Sequence, residues 1–244
     1  MSISGGAPVS VILAAGMGRR LGDRAGGRPK GFLEIGGRTL IERSLDSLHA
    51  AGVREVFIGT GFRSDLFEQL RHPGLRIRCV RNESFADTGS MQTLLPIASA
   101  LAGRRMLLLE SDLLYHRRGL FHLAACAGEN IILASPLTQS GDEVYIETDT
   151  AGRLVGLSKD PGELGAVNAE LTGLNKVGPD LSAAMVDFAK DRSGRLDYET
   201  VFAALAPKIR IDVEIFDFPW GEIDDDSHLQ RALNFVLPAI EAEA

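Results

Sequence analysis

The sequence of 244 residues has little cysteine, and its two cysteines are far apart. Cys79 and Cys126 lie outside any CxxC motif or Cys/His cluster, so neither a disulfide framework nor a structural zinc site is predicted. None of the five histidines has an evident partner at metal-ligand spacing, and all five are interpreted as structural or surface residues. A chain without disulfides is typical of a reducing compartment, so we expect a cytoplasmic protein.

Long apolar runs are also absent. Residues 1–10 lack a basic segment followed by an apolar core, and no run approaches the roughly 20 apolar residues that cross a bilayer, so neither secretion nor a membrane span is expected.

The net charge of −7 argues against a general nucleic-acid binder. Residues 1–120 nevertheless carry 17 Lys and Arg against 11 Asp and Glu, whereas residues 121–244 carry 9 against 22. The first half could therefore receive an anion.

The chain does contain alternating strand and helix patterns, which are typical of a mostly parallel sheet. A turn signal after residue 148 predicts a β-hairpin of Val144–Glu147 and Leu154–Leu157. We predict an α/β fold, a doubly wound, mostly parallel sheet with a small antiparallel C-terminal portion, in one domain over residues 1–244 with a soft internal boundary near residue 136. Its main strands are predicted at Val9–Ala15, Val56–Thr60, Ile77–Val80, Met106–Leu109, Ile131–Ala134 and Ile211–Phe216.

A glycine-rich loop, Gly16–Gly22, follows the first predicted strand. Glycines in that position allow backbone N–H groups to approach phosphate oxygens. The loop does not match the dinucleotide motif GxGxxG, because the third glycine comes one residue late, and no Walker A motif occurs. What remains is a long basic loop suited to a triphosphate, or else a flexible surface loop; its cations are Arg19, Arg20, Arg24, Arg28 and Lys30.

The segment Val11–Leu21, followed by Pro29-Lys30, resembles the signature LAAGxGxRL…PK of nucleotidyltransferases with a GT-A-like fold. The resemblance implies a Rossmann-like sheet of the GT-A type, with Arg20 and Lys30 on the β- and γ-phosphates of a nucleoside triphosphate. The segment Trp220–Asp224 is similar to the closing motif W-x-E-I-D of a subgroup that includes phosphocholine and 2-aminoethylphosphonate cytidylyltransferases. We therefore expect an enzyme that uses CTP.

Two carboxylates are the candidate Mg²⁺ ligands. Asp112 follows an apolar strand that resembles the family's metal-binding strand, and Asp224 matches the closing motif. Mg²⁺ needs one or two protein carboxylates beside phosphate oxygens, so we predict Asp112 and Asp224 as the pair, with Glu110 as a competitor. Asp225 and Asp226 are interpreted as helix-capping acids.

The nucleotide is expected between the first strand's edge and the segment from Arg81 to Met91. By resemblance, Asn82, Gly89 and Ser90 read the base and the ribose, although Asn82 also suits a turn, and Asp87 or Thr88 an N-cap. The predicted nucleotide-binding residues are Leu13, Ala14, Ala15, Gly16, Gly18, Arg20, Lys30, Asn82, Gly89 and Ser90.

The acidic second half is expected to face a small anionic or zwitterionic acceptor. With three Tyr and one Trp in the chain, an aromatic cage for a quaternary ammonium is hard to build, which favours a primary amine. Alternatives are phosphocholine or a sugar 1-phosphate as acceptor, UTP as donor, or a non-catalytic nucleotide-binding module; a homodimer also stays open. The candidate acceptor-binding residues are Asp142, Glu143, Tyr145, Lys159, Tyr198, Glu199 and Trp220, with Lys159 alternatively a solvated hairpin residue.

Overall fold

The computed structural model describes residues 9–21, 26–192 and 194–243. Gly22 and Arg24 of the basic loop lie outside the described residues, as do residues 1–8. No helix within the described ranges is long and apolar enough to cross a membrane.

The strands agree with the alternation in the sequence. In chain order they are β1 Val9–Ala14, β2 Glu34–Ile35, β3 Arg38–Thr39, β4 Glu55–Thr60, β5 Arg76–Arg81, β6 Met106–Glu110, β7 Leu113–Tyr115, β8 Ile131–Ser135, β9 Tyr145–Thr148, β10 Leu154–Ser158, β11 Ala169–Val177, β12 Asp212–Ile215 and β13 Trp220–Glu222. The predicted hairpin is confirmed, because β9 and β10 pair antiparallel.

The helices connect these strands over both faces of the sheet. They are α1 Leu40–Ala50, α2 Ser64–Glu68, α3 Ser90–Ala100, α4 Arg117–Ala125, α5 Pro179–Ala189, α6 Tyr198–Leu205, α7 Asp226–Arg231 and α8 Leu237–Ala242. A π-helical turn, Ala232–Val236, joins α7 to α8, and a 3₁₀ turn, Lys30–Phe32, ends the basic loop.

The central sheet has nine strands. One path runs β10-β9-β11-β6-β1-β4-β5, with β8 beside β11 and β12 beside β8. The pairs of β1 with β4 and β6, of β4 with β5, and of β8 with β12 are parallel, whereas β11 is antiparallel to its neighbours. This arrangement confirms the predicted fold class, and strands from both sides of residue 136 share the sheet.

Side chains along β1 alternate between two hydrophobic clusters, as the period of a strand requires. Val9, Val11 and Leu13 pack with α3, α5 and α6 on one face, and Ile12 and Ala14 pack with α1, α2 and α4 on the other. A third cluster joins Leu21 of the basic loop to β2, β7 and the C-terminal helices; it consists of Leu21, Ile35, Leu40, Leu114, Ile223, Leu229, Ala232 and Val236. Helices on both faces hold the carboxyl ends of β1 and β6 at one exposed edge.

Candidate functional site

The basic loop begins at the carboxyl end of β1 and returns to the neighbouring end of β6. Gly18 has a positive φ of 59°, and a Cβ there would lie 2.9 Å from Lys30 Cγ, so a side chain at this position would displace Lys30. Gly31 packs against the backbone of Ser111, one residue beyond β6. The loop therefore places Lys30 directly beside the acidic residues that follow β6.

Lys30 bridges the two carboxylates that the sequence paired. Its Nζ donates to Asp112 Oδ2 at 2.8 Å and also to Asp224 Oδ1. The three side chains are largely buried, with Asp224 only 4% exposed. Burial alone would lower the pKa of Lys30, but Asp112 and Asp224 outweigh burial and raise it above its usual value. Lys30 is therefore charged at every physiological pH.

Arg20 continues this chain of ion pairs toward the second half of the molecule. It donates to Asp224 Oδ2 and, at 2.9 Å, to Asp142 Oδ2, while Lys159 Nζ donates to the other oxygen of Asp142 at 2.9 Å. Burial would raise the pKa of Asp142, but the bonds from Lys159 and Arg20 outweigh it and hold that pKa well below its usual range. Asp142 thus links the loop to the predicted acceptor side.

The closing motif reaches Asp112 through the backbone. Ile223 N donates to Asp112 O at 3.0 Å, and β13 pairs with β7 next to it. Asp225 caps α7 by accepting from His228 N at 3.0 Å, which confirms the capping interpretation for that residue. The register leaves Asp224 free of the cap and turned toward Lys30 and Arg20.

Glu222, which the sequence did not single out, joins Glu110 and Asp112 in a cluster whose carboxylate oxygens lie within 4.8 Å of one another. Burial, then Asp112 and Glu199, raise the pKa of Glu110 to about 8. Burial, then Asp112, Glu110 and Asp224, raise the pKa of Glu222 well above its usual value. The sequence signal that could have identified Glu222 is its place in the closing motif, two residues before Asp224.

Two sets of carboxylates could hold Mg²⁺, and Asp112 belongs to both. Asp112 and Asp224 already converge on one cation, the Lys30 ammonium, which shows that this pair can accept positive charge. The raised pKa values favour at least one proton on the Glu110–Glu222 pair at neutral pH. Hard oxygen donors of this kind suit Mg²⁺, and the residues fit the expected ion.

An open cleft lies above the carboxyl ends of β1 and β6. Phe85, Arg195 and Asp197 also line it, and none of the three was among the predicted site residues. The predicted nucleotide-binding residues in its wall are Leu13, Ala14, Ala15, Gly16, Gly18, Arg20, Lys30, Gly89 and Ser90.

Asn82 does not belong to the wall of this cleft. Its amide donates to Thr88 Oγ1 at 2.9 Å and to Thr93 Oγ1 at 3.0 Å, and its oxygen accepts from Ser84 N at 3.0 Å. These bonds hold the amide between the loop that follows β5 and the first turn of α3, and the bond to Ser84 N is the turn-forming role that the sequence left open.

The start of α3 is held by a distant acid. The expected N-cap at Asp87 or Thr88 is wrong, because Gly89 occupies that position and the Asp197 carboxylate accepts from Ser90 N at 2.8 Å. Ser90 Oγ in turn accepts from Tyr198 N at 3.0 Å. These reciprocal hydrogen bonds fix α3 to α6 beneath the cleft. They join Ser90 to Asp197, which is 107 positions away in the sequence.

A second cleft adjoins the first, and Glu110 lies in the walls of both. Of the predicted acceptor-binding residues, the second wall contains Asp142, Glu143, Lys159, Glu199 and Trp220. Glu170 and Glu222 add further carboxylates. The wall is strongly acidic, as the charge of the second half of the sequence indicated.

The two predicted tyrosines do not line this cleft. Tyr198 is 1% exposed and donates to Glu110 Oε1 at 2.5 Å, so it positions Glu110 from behind. Tyr145 donates to Glu143 Oε2 at 3.4 Å. With both tyrosines absent from the wall, Trp220 is the one Tyr, Trp or Phe side chain in the described lining, and it cannot form an aromatic cage alone.

Comparison with known proteins is consistent with this geometry. The family model described as the MobA-like NTP transferase domain matches residues 10–172. The CMP-5'-(3-aminopropyl)phosphonate synthase of Streptomyces rubellomurinus is 26% identical over 239 residues, covering 91% of this chain and 38% of the relative. The choline-phosphate cytidylyltransferase of Streptococcus pneumoniae is 29% identical over 93 residues, covering 38% of this chain and 40% of the relative. The chain thus spans about two-fifths of the length of each of these relatives.

Solved structures share the fold. The inositol-1-phosphate CTP transferase from T. maritima superposes with a TM-score of 0.82 at 19% identity, over 97% of each chain. A putative glucose-1-phosphate thymidylyltransferase from Bacillus anthracis superposes with a TM-score of 0.78 at 15% identity, over 93% of this chain and 95% of that one.

Proposed function

Because the chain belongs to the family of MobA-like NTP transferase domains, we propose that it transfers CMP from CTP to a small phosphonate or phosphomonoester that carries a primary amine, releasing pyrophosphate. The observation that carries this proposal is the junction of the two clefts. A cleft with Arg20 and Lys30 meets an acidic cleft at Glu110, next to Asp112. The relatives named for CMP-aminopropylphosphonate and choline phosphate both support the choice of CTP, and the first supports an acceptor with a primary amine.

In the proposed reaction, an acceptor oxygen attacks the α-phosphorus of CTP in line. The bond from that phosphorus to the oxygen bridging to the β-phosphate breaks, and the bonding electrons leave with pyrophosphate. A phosphomonoester has its second pKa near about 6, so its oxygen is ionised at neutral pH and needs no general base. Positioning and charge neutralisation can therefore supply the catalysis, without a Ser-His or Cys-His arrangement.

Arg20 and Lys30 neutralise the β- and γ-phosphates in this proposal. Both cations are paired with carboxylates in the structure, so the triphosphate must replace Asp224 as their partner. Asp112 and Asp224 would then hold Mg²⁺, which when bound supplies positive charge beside the reacting phosphates. The same two carboxylates thus hold one cation before the nucleotide enters and another afterwards.

The acidic cleft selects the acceptor. Asp142 is neutralised by Arg20 and Lys159, so among the carboxylates of the wall we propose Glu199, rather than Asp142, as the contact for an ammonium group. Burial, then Asp197, raise the pKa of Glu199 to about 7, and a bound ammonium would favour its ionised form. Lys159 can contact the acceptor phosphonate at the mouth of the cleft. A quaternary ammonium donates no hydrogen bonds to these carboxylates and depends on aromatic faces that the wall lacks.

The acceptor is tested by comparing kcat/KM for 2-aminoethylphosphonate, 3-aminopropylphosphonate, phosphocholine and inositol 1-phosphate at saturating CTP. We expect the amine-bearing phosphonates to exceed phosphocholine by about tenfold or more, which corresponds to roughly 1.4 kcal/mol. Glu199→Gln should reduce kcat/KM for the amines and leave inositol 1-phosphate, which has no amine, unchanged. A preference for inositol 1-phosphate or phosphocholine would overturn the acceptor assignment.

A further inference from the structure

A group of possible metal ligands lies outside both clefts, where α4 meets β12. It consists of His122, Cys126 and Glu214, whose ligand atoms lie within 4.8 Å of one another. His122 Nε2 is 2.9 Å from Glu214 Oε1. The interpretation of every histidine as lacking a partner at metal-ligand spacing is therefore wrong for His122.

Local structure brings the three side chains together. His122 and Cys126 are one helical turn apart, and Cys126 N donates to His122 O at 3.1 Å. The same i, i+4 spacing places two zinc ligands on one helix face in other proteins. The His122 ring stacks on Phe216, with centroids 4.0 Å apart and planes at 4°. This stacking fixes the direction in which the imidazole nitrogen points.

A cation can enter this group from solvent, although Lys176 already bonds to the Cys126 carbonyl and Arg118 lies over the Phe216 ring. Cys126 is the C-cap of α4, where the helix dipole concentrates partial negative charge. Lys176 donates to the Cys126 carbonyl, which leaves the sulfur itself available. His122 and Glu214 are each partly exposed, and Cys126 and Glu214 line one shallow surface cavity.

We propose that His122, Cys126 and Glu214 bind a divalent cation of the zinc type, with water as the fourth ligand. A thiolate, an imidazole and a carboxylate form the mixed donor set that zinc accepts in tetrahedral geometry, and it is softer than the oxygen set that suits Mg²⁺. The ion would tie the end of α4 to β12 at the edge of the sheet. Its binding does not depend on the transfer reaction, so the two proposals fail separately.

The test uses Co²⁺ and Zn²⁺ on the full chain, with excess Mg²⁺ to occupy the carboxylates near Lys30. We expect one Co²⁺ per chain to produce a thiolate-to-cobalt charge-transfer band. Cys126→Ser should abolish this band, whereas the matched control Cys79→Ser should keep it, since Cys79 lies on β5 outside the cluster. Glu214→Gln should weaken binding at least tenfold and leave CTP-dependent transfer unchanged.

A second readout needs no variant. Zn²⁺ should protect Cys126 from alkylation in the wild-type chain, as measured by peptide mass spectrometry, and should leave the labelling of Cys79 unchanged. A Co²⁺ complex without the charge-transfer band, or equal alkylation of Cys126 with and without Zn²⁺, would overturn the proposal and leave an ordinary His122–Glu214 pair.

Discussion

Replacing Lys30 by alanine tests whether the buried ion pairs hold the basic loop in place. Lys30 is 16% exposed and bonds to two carboxylates that are 15% and 4% exposed. Removing one partner of a buried pair costs about 3–5 kcal/mol, because the remaining charge stays buried. Arg20 still pairs with Asp224 in the variant, so we expect a loss near the lower end, about 3 kcal/mol.

This loss should lower Tm by about 6–12 °C, at roughly 2–4 °C per kcal/mol for a chain of this size. Because the folded-state pKa of Lys30 is raised, its stabilisation is fully present below the unfolded pKa of about 10.4 and is lost only as pH rises through the higher folded value. The difference between variant and wild type should therefore be the same at pH 7 and pH 9.

Lys159→Ala is the matched control, read by urea and thermal denaturation. Lys159 bonds to Asp142 at 2.9 Å, close to the 2.8 Å of Lys30 to Asp112, but its side chain is 59% exposed. An exposed pair contributes about 0–1 kcal/mol. Equal stability of the two variants would refute the reasoning that burial makes the Lys30 pairs strong. In pyrophosphate release, Lys30→Ala should also lose about 10²–10³ in rate, as removal of a charge-stabilising donor does.

Three further perturbations test separate parts of the site. Gly89→Ala should cost about 1–3 kcal/mol of unfolding free energy in thermal denaturation, because its Cβ would overlap Leu196 O. Gly16→Ala is the control and should be neutral, because no atom lies within 4 Å of its Cβ position. Equal effects of the two substitutions would contradict the tight α3–α6 junction. Tyr198→Phe should lose more unfolding free energy at pH 9 than at pH 6, because Glu110 is ionised above its pKa of about 8 and the Tyr198 hydroxyl donates to it. A loss that does not depend on pH would show that the hydroxyl does not stabilise the Glu110 carboxylate. Asp112→Asn and Asp224→Asn should each abolish the response of the transfer rate to Mg²⁺, with Glu222→Gln as the control that keeps it; the reverse pattern would move the ion to the Glu110–Glu222 cluster.

Much of the fold follows from apolar periodicity. The observed β1 ends one residue before the predicted strand, and β4 begins one residue earlier than predicted and ends at the predicted Thr60. The main omission is β11, the nine-residue strand to which β6, β8 and β9 all pair. Every residue of β11 is buried, yet four are polar: Glu170, Thr172, Asn175 and Lys176. Such a strand has neither an apolar run nor an alternation that sequence reasoning could find.

The site residues, like the strands, include some that local sequence predicts and some that it does not. Arg20, Lys30, Asp112 and Asp224 were predicted because a local motif contains each of them, and the structure brings all four into one chain of ion pairs. The contacts that organise this chain join distant segments, such as Arg20 to Asp142 across 122 positions. Tyr198 was predicted at the acceptor and lies instead behind Glu110, because a buried hydroxyl needs a partner that the sequence cannot identify.

The central claim is that the chain transfers CMP from CTP to an amine-bearing phosphonate. The most direct test incubates the chain with Mg²⁺, 2-aminoethylphosphonate and each of the four nucleoside triphosphates, and follows the products by phosphorus NMR. We predict that CTP alone is used efficiently, and that pyrophosphate and a CMP-phosphonate anhydride form in equal amounts. Equal turnover of all four nucleotides, or pyrophosphate without the mixed anhydride, would contradict the account.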